Sequence, residues 1–390
     1  MMMIWASTRC RQGSCQLSAV SSQSMLGVLF FFSIAAFSVA QGHSAAPSAV
    51  PKIPPPGSSL ALRASSTMNV ASEMGGAFMS SSKCDADGNL YIRKLAVDRP
   101  LLGPVVKIDP DGKRTALFDP AAFSQLALDR ADAFLPASDG GMYQIAQSGV
   151  IKPRIYVLHF SSDGSASSPT LLDADFEVYT FAAFADGNFL LSGVKRDLQN
   201  RNDRGRNFTA VFSADGRELA QLSFPEAQGP TKTGAKSNAG AHQNTAQKDA
   251  QKDAQKGAEK PAPTLDLADA EVGSDGNLYV MRHSSPTLVY VIASSGKVMQ
   301  TIKVASPLPG AVPSGFHLSG NRLAISFWND DKQSQTIVVA DAQTGRKIAS
   351  YADPTGLGPS FACYSANDGV FTFLRLGEGN ELEVIRAEAQ

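Results

Sequence analysis

The fold is decided by the stretch Asp275–Lys297, DGNLYVMRHSSPTLVYVIASSGK. Asp275-Gly276 and Ser295-Gly296 are hairpin turn signals, because Gly accepts a positive φ without a Cβ clash. Between them lie two runs rich in β-branched and aromatic residues, Leu278-Tyr279-Val280 and Leu288-Val289-Tyr290-Val291-Ile292, which read as strands. Turn, strand, gap, strand and second turn make one unit.

The unit recurs. Other copies open at Asp87-Gly88, Asp139-Gly140, Asp186-Gly187, Gly320-Asn321 and Asp368-Gly369, so the first glycines fall at 88, 140, 187, 276, 320 and 369. Four of the steps are 44 to 52 residues, and the fifth, 89, contains an insert. A period of about 45–50 with several short strands per unit is the signature of propeller blades. The position four before the second glycine is large and apolar in four copies, Ile108, Phe160, Phe212 and Ile292, which fits one core-facing position per blade. The chain therefore reads as all-β: a six-bladed β-propeller of four-stranded antiparallel blades over 58–390. The sixth copy has room for only three strands, near 360–364, 370–374 and 381–386. The run Ser59–Ala64 is expected to supply the missing strand and close the ring.

Ahead of the repeat, Met25–Ala40 reads MLGVLFFFSIAAFSVA, an uncharged run of 16 residues preceded by Arg9 and Arg11 and ending in Ser38-Val39-Ala40. A basic start, a short apolar stretch and a small-residue exit make an export signal over 1–40. The run is shorter than the ~20 residues a spanning helix needs. Cys10 and Cys15 would leave with it. A Pro/Ala/Ser-rich linker follows over 41–57. The mature chain is thus expected outside the cytoplasm, periplasmic or secreted, without a membrane span and as a single chain.

Between the third and fourth copies, residues 226–263 carry the repeat AQKDAQKD (Ala246–Asp253), no large apolar side chain, and six Lys against four acids. Such a segment cannot offset its ordering entropy by burial and reads as a low-complexity disordered insert. The whole chain has 390 residues, 43% apolar and 18% charged, with net charge −1. That length buries an ample core, and the balanced charge argues against a nucleic-acid partner.

The DGNLY…V-x-I-x-x-x-G-K rhythm over about 60–390 resembles the NHL-repeat and SMP-30 (gluconolactonase-like) six-bladed β-propellers. The motif specifies architecture far better than activity. In the gluconolactonase-like members the resemblance implies a divalent metal at the axis, held by a Glu near the first blade and by Asn and Asp from later blades. The usual Glu-Gly-Pro opening has no counterpart, and Glu73 is the nearest Glu. Asp132, Asp269, Glu271 and His317 precede inner-strand runs and could point to the channel, but they do not fall at one equivalent position across the blades. The pieces Asp85-Ala86-Asp87-Gly88 and Asp109-Pro110-Asp111-Gly112 resemble calcium loops only superficially. Lys83 and Lys107 stand where an EF-hand needs ligands, so they read as turns.

Both glycine turns of each copy must lie on one face. The opposite face receives the longer connections, such as 93–103, 195–207, 306–314 and 327–333, and long loops on a rigid scaffold are where binding resides. The loop 195–206 carries five cations and two acids. Lys195, Arg196, Arg201, Arg204 and Arg206, with Asp269 and His317, are therefore the candidate ligand-binding residues for a small molecule, through guanidinium forks that suit carboxylate or phosphate. An envelope protein is the other candidate partner. The expected function is a non-enzymatic ligand- or protein-binding scaffold that needs no cofactor. The alternative is a metal-dependent hydrolase or lactonase of the gluconolactonase-like kind, with a divalent metal. Cys84 and Cys363 lie on the inner strands of the first and sixth copies, at offsets of equal parity, and are candidates for a disulfide at the closure.

Overall fold

In the computed structural model, residues 59–149, 153–173, 176–195, 205–222, 224, 267–352, 357–358 and 360–390 are described. The expected export segment (1–40), the linker (41–57) and the insert (226–263) lie outside them. Among the described residues no helix is long and apolar enough to cross a membrane.

A ten-residue strand β1 (Leu60–Asn69) and a one-turn helix α1 (Ala71–Met74) precede the first sheet. That sheet is β2 (Phe78–Cys84), β3 (Leu90–Lys94), β4 (Val105–Ile108) and β5 (Arg114–Phe118). The second is β6 (Arg130–Pro136), β7 (Met142–Ser148), β8 (Arg154–Phe160) and the short β9 (Thr170–Leu171). The third is β10 (Glu177–Ala183), β11 (Phe189–Lys195), β12 (Arg206–Phe212) and β13 (Glu218–Gln221). The fourth is β14 (Leu267–Val272), β15 (Leu278–Arg282), β16 (Thr287–Ile292) and β17 (Val298–Val304). There follow β18 (Val312–Ser319), β19 (Arg322–Asn329), β20 (Ser334–Asp341) and β21 (Lys347–Ala352), and then β22 (Ser360–Tyr364), β23 (Phe371–Leu376) and β24 (Leu382–Ala389). These last seven strands and β1 form one eight-stranded sheet of order β18-β19-β20-β21-β1-β24-β23-β22. Within it β1 runs antiparallel to β24 from Leu62↔Ala389 to Asn69↔Glu383, and it touches β21 in parallel only at Leu60↔Tyr351 and Ala61↔Ala352. The N-terminal strand therefore completes a four-stranded set with β22–β24. It is longer than the sequence suggested, extending to Asn69.

Each sheet buries its middle strands on both faces. β16 is buried at all six positions, whereas β17, the outer strand of the same sheet, buries only Ile302 and Val304. Near-continuous apolar runs follow from that double burial. Apolar clusters fill the spaces between successive sheets. One joins Tyr91 and Phe118 to Ala146 and Phe160, and another joins Val157 and Phe176 to Phe189 and Leu191. A further cluster packs Leu90, Ile92 and Val106 on Leu374, Leu382 and Val384, so the succession of sheets returns to its start. That closure makes an all-β propeller with four-stranded antiparallel blades. Ile108, Phe160, Phe212 and Ile292 are each fully buried, as their spacing required.

The two turns of each repeat are built alike but packed differently. Asp85 Oδ1 accepts from the backbone N–H of Asp87 and Asn89 (3.1 and 2.9 Å), and Asp109 Oδ1 accepts from Asp111 and Lys113 (3.0 and 2.8 Å). These carboxylates are spent on their own turns, which explains the Asp-x-Asp-Gly pieces without calcium. The second glycine of a repeat lies against the outer strand of the preceding sheet. A Cβ on Gly216, at φ +90°, would stand 2.0 Å from the Leu171 carbonyl oxygen. On the opposite face the connections are less uniform than the sequence suggested. Residues 95–104 and 119–129 are long, but 283–286 and 330–333 are as short as the glycine turns, because β19 continues through Phe327 to Asn329.

Candidate functional site

Strands β2, β6, β10, β14, β18 and β22 each break register once with the strand that follows. The shifts fall between Phe78 and Ser82, Ala131 and Phe134, Val178 and Thr180, Leu267 and Asp269, Pro313 and Gly315, and Phe361 and Cys363. A bulge bends a strand and re-aims its side chains. Side chains of the preceding sheet take up carbonyls beside two of these bulges: Arg93 Nη2 donates to Ala131 O, and Thr180 Oγ1 donates to Leu267 O (3.0 Å).

The bulged strands surround a cavity of about 380 Å³. Its wall takes Ser82 and Lys83 from β2, Ala133 and Phe134 from β6, and Tyr179, Thr180 and Phe181 from β10. It continues with Asp269 and Glu271 from β14, Ser314, Gly315 and Phe316 from β18, and Ser360, Phe361 and Ala362 from β22. Ser326 and Gln335 stand behind, with Gln335 Nε2 donating to Ser326 Oγ (2.8 Å). Every one of the bulged strands contributes, which places the cavity on the axis.

Its charged groups form one cluster. Lys83 Nζ donates to Asp269 Oδ1, joining β2 to β14 across the axis, and the two side chains are 25% and 26% exposed. Asp269 Oδ1 also accepts from the Ala270 N–H (2.8 Å). Two residues on, Glu271 Oε1 meets His317 Nδ1 (3.0 Å), and Oε2 accepts from the Leu318 N–H (2.6 Å). Burial pulls the Lys83 ammonium down, but Asp269 and Glu271 more than offset it, so its pKa lies above the ordinary lysine value. Burial pushes Asp269 above the ordinary carboxylate value; Lys83 opposes that rise, and Glu271 adds to it. Burial also acts to raise Glu271, but His317 and Lys83 hold it below its ordinary value. The ammonium is bonded to Asp269, while the charge of Glu271 also favours its protonated form. The first strands run toward the glycine turns. Lys83, Glu271 and His317 therefore lie near that end of the axis, and Tyr179, Ser314 and Ser360 lie nearer the other.

The sequence-predicted residues divide accordingly. Asp269 lines the cavity, and His317 is buried behind Glu271. Lys195 and Arg206 pair at the exposed ends of β11 and β12, and neither lines the cavity. Arg196, Arg201 and Arg204 lie outside the described residues. Asp132 is held by Arg130 Nε (2.5 Å), and Glu73 accepts from the Arg114 N–H (3.2 Å). Asp132, Asp269, Glu271 and His317 do not share one position, as expected: Asp132 falls within the β6 register shift and Asp269 pairs with Met281, although Glu271 and His317 do coincide. Glu271 pairs with Tyr279, His317 with Ala324, Lys83 with Tyr91 and Cys363 with Thr372. All four therefore share one ladder step, beside the equivalent buried residues Leu278, Leu323, Leu90 and Phe371. Cys84 and Cys363 form a disulfide with Cα atoms 6.1 Å apart. They stand one ladder step apart rather than at equal parity, because the Ser365–Val370 turn is one residue longer than Asp85–Asn89.

The divalent metal implied by the resemblance does not fit this donor set. Asp269 is engaged by the Lys83 ammonium, and Glu271 by an imidazole and a backbone N–H. Among the described residues no three His, Cys, Asp or Glu side chains are grouped to hold a metal ion.

No protein-family model matches the chain, and no curated protein matches its sequence. Solved structures are similar in fold. A protein of unknown function from Dyadobacter fermentans is 13% identical, covering 84% of this chain and 99% of its own, with a TM-score of 0.46. A luciferin-regenerating enzyme is 11% identical, covering 83% and 95%, with a TM-score of 0.44. A protein of unknown function from Bacteroides caccae is 11% identical, covering 71% and 82%, with a TM-score of 0.42. At these identities the likeness concerns fold alone, and the chemistry of the axis has to be argued from this chain's own residues.

Proposed function

We propose that this chain is an exported six-bladed propeller of the NHL-repeat/SMP-30 class that acts as a non-enzymatic binding scaffold. It works as a single chain outside the cytoplasm and takes a small polar molecule into its axial cavity from the end opposite the glycine turns. The two halves of the eight-stranded sheet, joined by two residue pairs, count as two blades beside the other four. The observation that carries the binding reading is the cavity itself. About 380 Å³ is the size of a small-molecule site, and its wall combines apolar rings with hydroxyls, one ammonium and two carboxylates. Such a wall orients a polar ligand through a few directed hydrogen bonds. The rival reading, a metal-dependent hydrolase or lactonase, needs carboxylates available to a metal, whereas those of Asp269 and Glu271 are already engaged.

A thermal-shift screen of small polar molecules tests this. Compounds that raise the melting temperature of the wild type are expected to lose their effect in Ser360→Phe, which fills the cavity, while the unliganded variant melts as the wild type does. A screen with no shift sensitive to Ser360, together with chelator-sensitive lactone hydrolysis, would replace the scaffold reading with the hydrolase.

A further inference from the structure

The resemblance that names a divalent ion at the axis and the residues found there disagree, and the disagreement has a definite form. Lys83 reaches from the first sheet to the fourth, three positions away around the ring, and bonds Asp269. The Lys83 backbone is fixed on both sides. It pairs with Tyr91 in the ladder, and its neighbour Cys84 is bound to Cys363. Glu271 lies two residues from Asp269 on the same strand, and Lys83, Asp269 and Glu271 line one cavity, so the charge of Glu271 adds to that of Asp269 in favouring the ammonium. Removing that ammonium would leave two partly buried carboxylates with only the His317 imidazole and backbone N–H groups for compensation, a costly arrangement. A metal ion placed beside it would meet a like charge at contact distance in a poorly solvated site.

We infer that Lys83 is the resident cation of the propeller axis: its ammonium takes the electrostatic role a divalent ion would have, and it excludes such an ion. The inference rests on the binding reading only for the location of the site. It holds or fails whether or not a small molecule is found for the cavity.

The test is calorimetric titration of the chelator-treated full chain with Mn²⁺ and Ca²⁺, hard cations that favour oxygen ligands, alongside melting curves. The wild type is expected to bind no stoichiometric ion and to melt identically with and without chelator. Lys83→Ala is expected to melt lower and to bind one ion per chain at least tenfold more tightly than the wild type, with part of the lost melting temperature restored. Adding Asp269→Asn should abolish that gain. Lys83→Gln, which keeps a donor toward Asp269 but no charge, asks the same question should the alanine variant fail to fold, and the same gain is expected. One chelator-removable divalent ion per wild-type chain would overturn the inference, as would alanine and glutamine variants that gain no affinity. A negative small-molecule screen alone would count against the binding reading and leave this one standing.

Discussion

At the scale of single residues, the axis is controlled by who shares charge with whom. Lys83→Met leaves Asp269 without its ammonium. The expected cost is about 2 kcal/mol, less than the ~3–5 of a fully buried pair because a quarter of each side chain is exposed. Lys83→Met/Asp269→Asn should cost less than Lys83→Met alone, as chemical denaturation of both variants would show. Glu271 makes the acid limb of stability measurable. Its folded pKa lies below the usual 4.5, so the folded state binds its proton less readily than the unfolded chain does. Its contribution is present above that value and is lost as pH falls through the lower folded one. In Glu271→Gln the fall of melting temperature between about pH 5 and 3 should therefore be shallower than in the wild type. Little of this was legible beforehand. In the sequence Lys83 serves only to discount a calcium loop, and no spacing rule brings it to Asp269, 186 residues away. Counted from the turn glycines, Lys83 and Glu271 both stand five residues before, but His317 stands three and Cys363 six, because turn length varies while ladder position does not.

At the scale of elements, two glycines with the same sequence signature do different work. Gly216 needs both its left-handed backbone (φ +90°) and the absence of a Cβ, which would meet the Leu171 carbonyl at 2.0 Å. Gly369 is also left-handed, at φ +73°, but nothing stands within 4 Å of its missing Cβ. Gly216→Ala is expected to cost about 3 kcal/mol or more, strain and clash together, and Gly369→Ala about 1 kcal/mol. Equal costs in urea unfolding would remove the packing argument. Phe160 tests the core between the first two sheets. It is fully buried and edge-on to Phe118 and Phe123, with ring centroids 5.8 and 5.2 Å away, so Phe160→Ala should cost ~3–5 kcal/mol. The strands themselves were readable because turn glycines and doubly buried β-rich runs are local signals. The bulges were not, since a bulge is defined by the partner strand.

At the scale of the molecule, the seam between the first and last sheets is held twice, by β1 in the ladder and by Cys84–Cys363 near the axis. The bond closes a loop of 279 residues, for which the chain-entropy account gives roughly 5 kcal/mol. Denatured, unreduced protein beginning after Ala40 should titrate no thiols, and reduction should lower its melting temperature; two thiols per chain would show that the seam relies on β1 alone. The closure also bears on the order of events in the life of the chain. Leu62 pairs with Ala389, so the ring is closed by two strands at opposite ends of the repeat array. Contacts of such separation form slowly, because most of the loop-closure entropy must be spent before they reward it. The ring is therefore expected to close after the local hairpins of its sheets have formed.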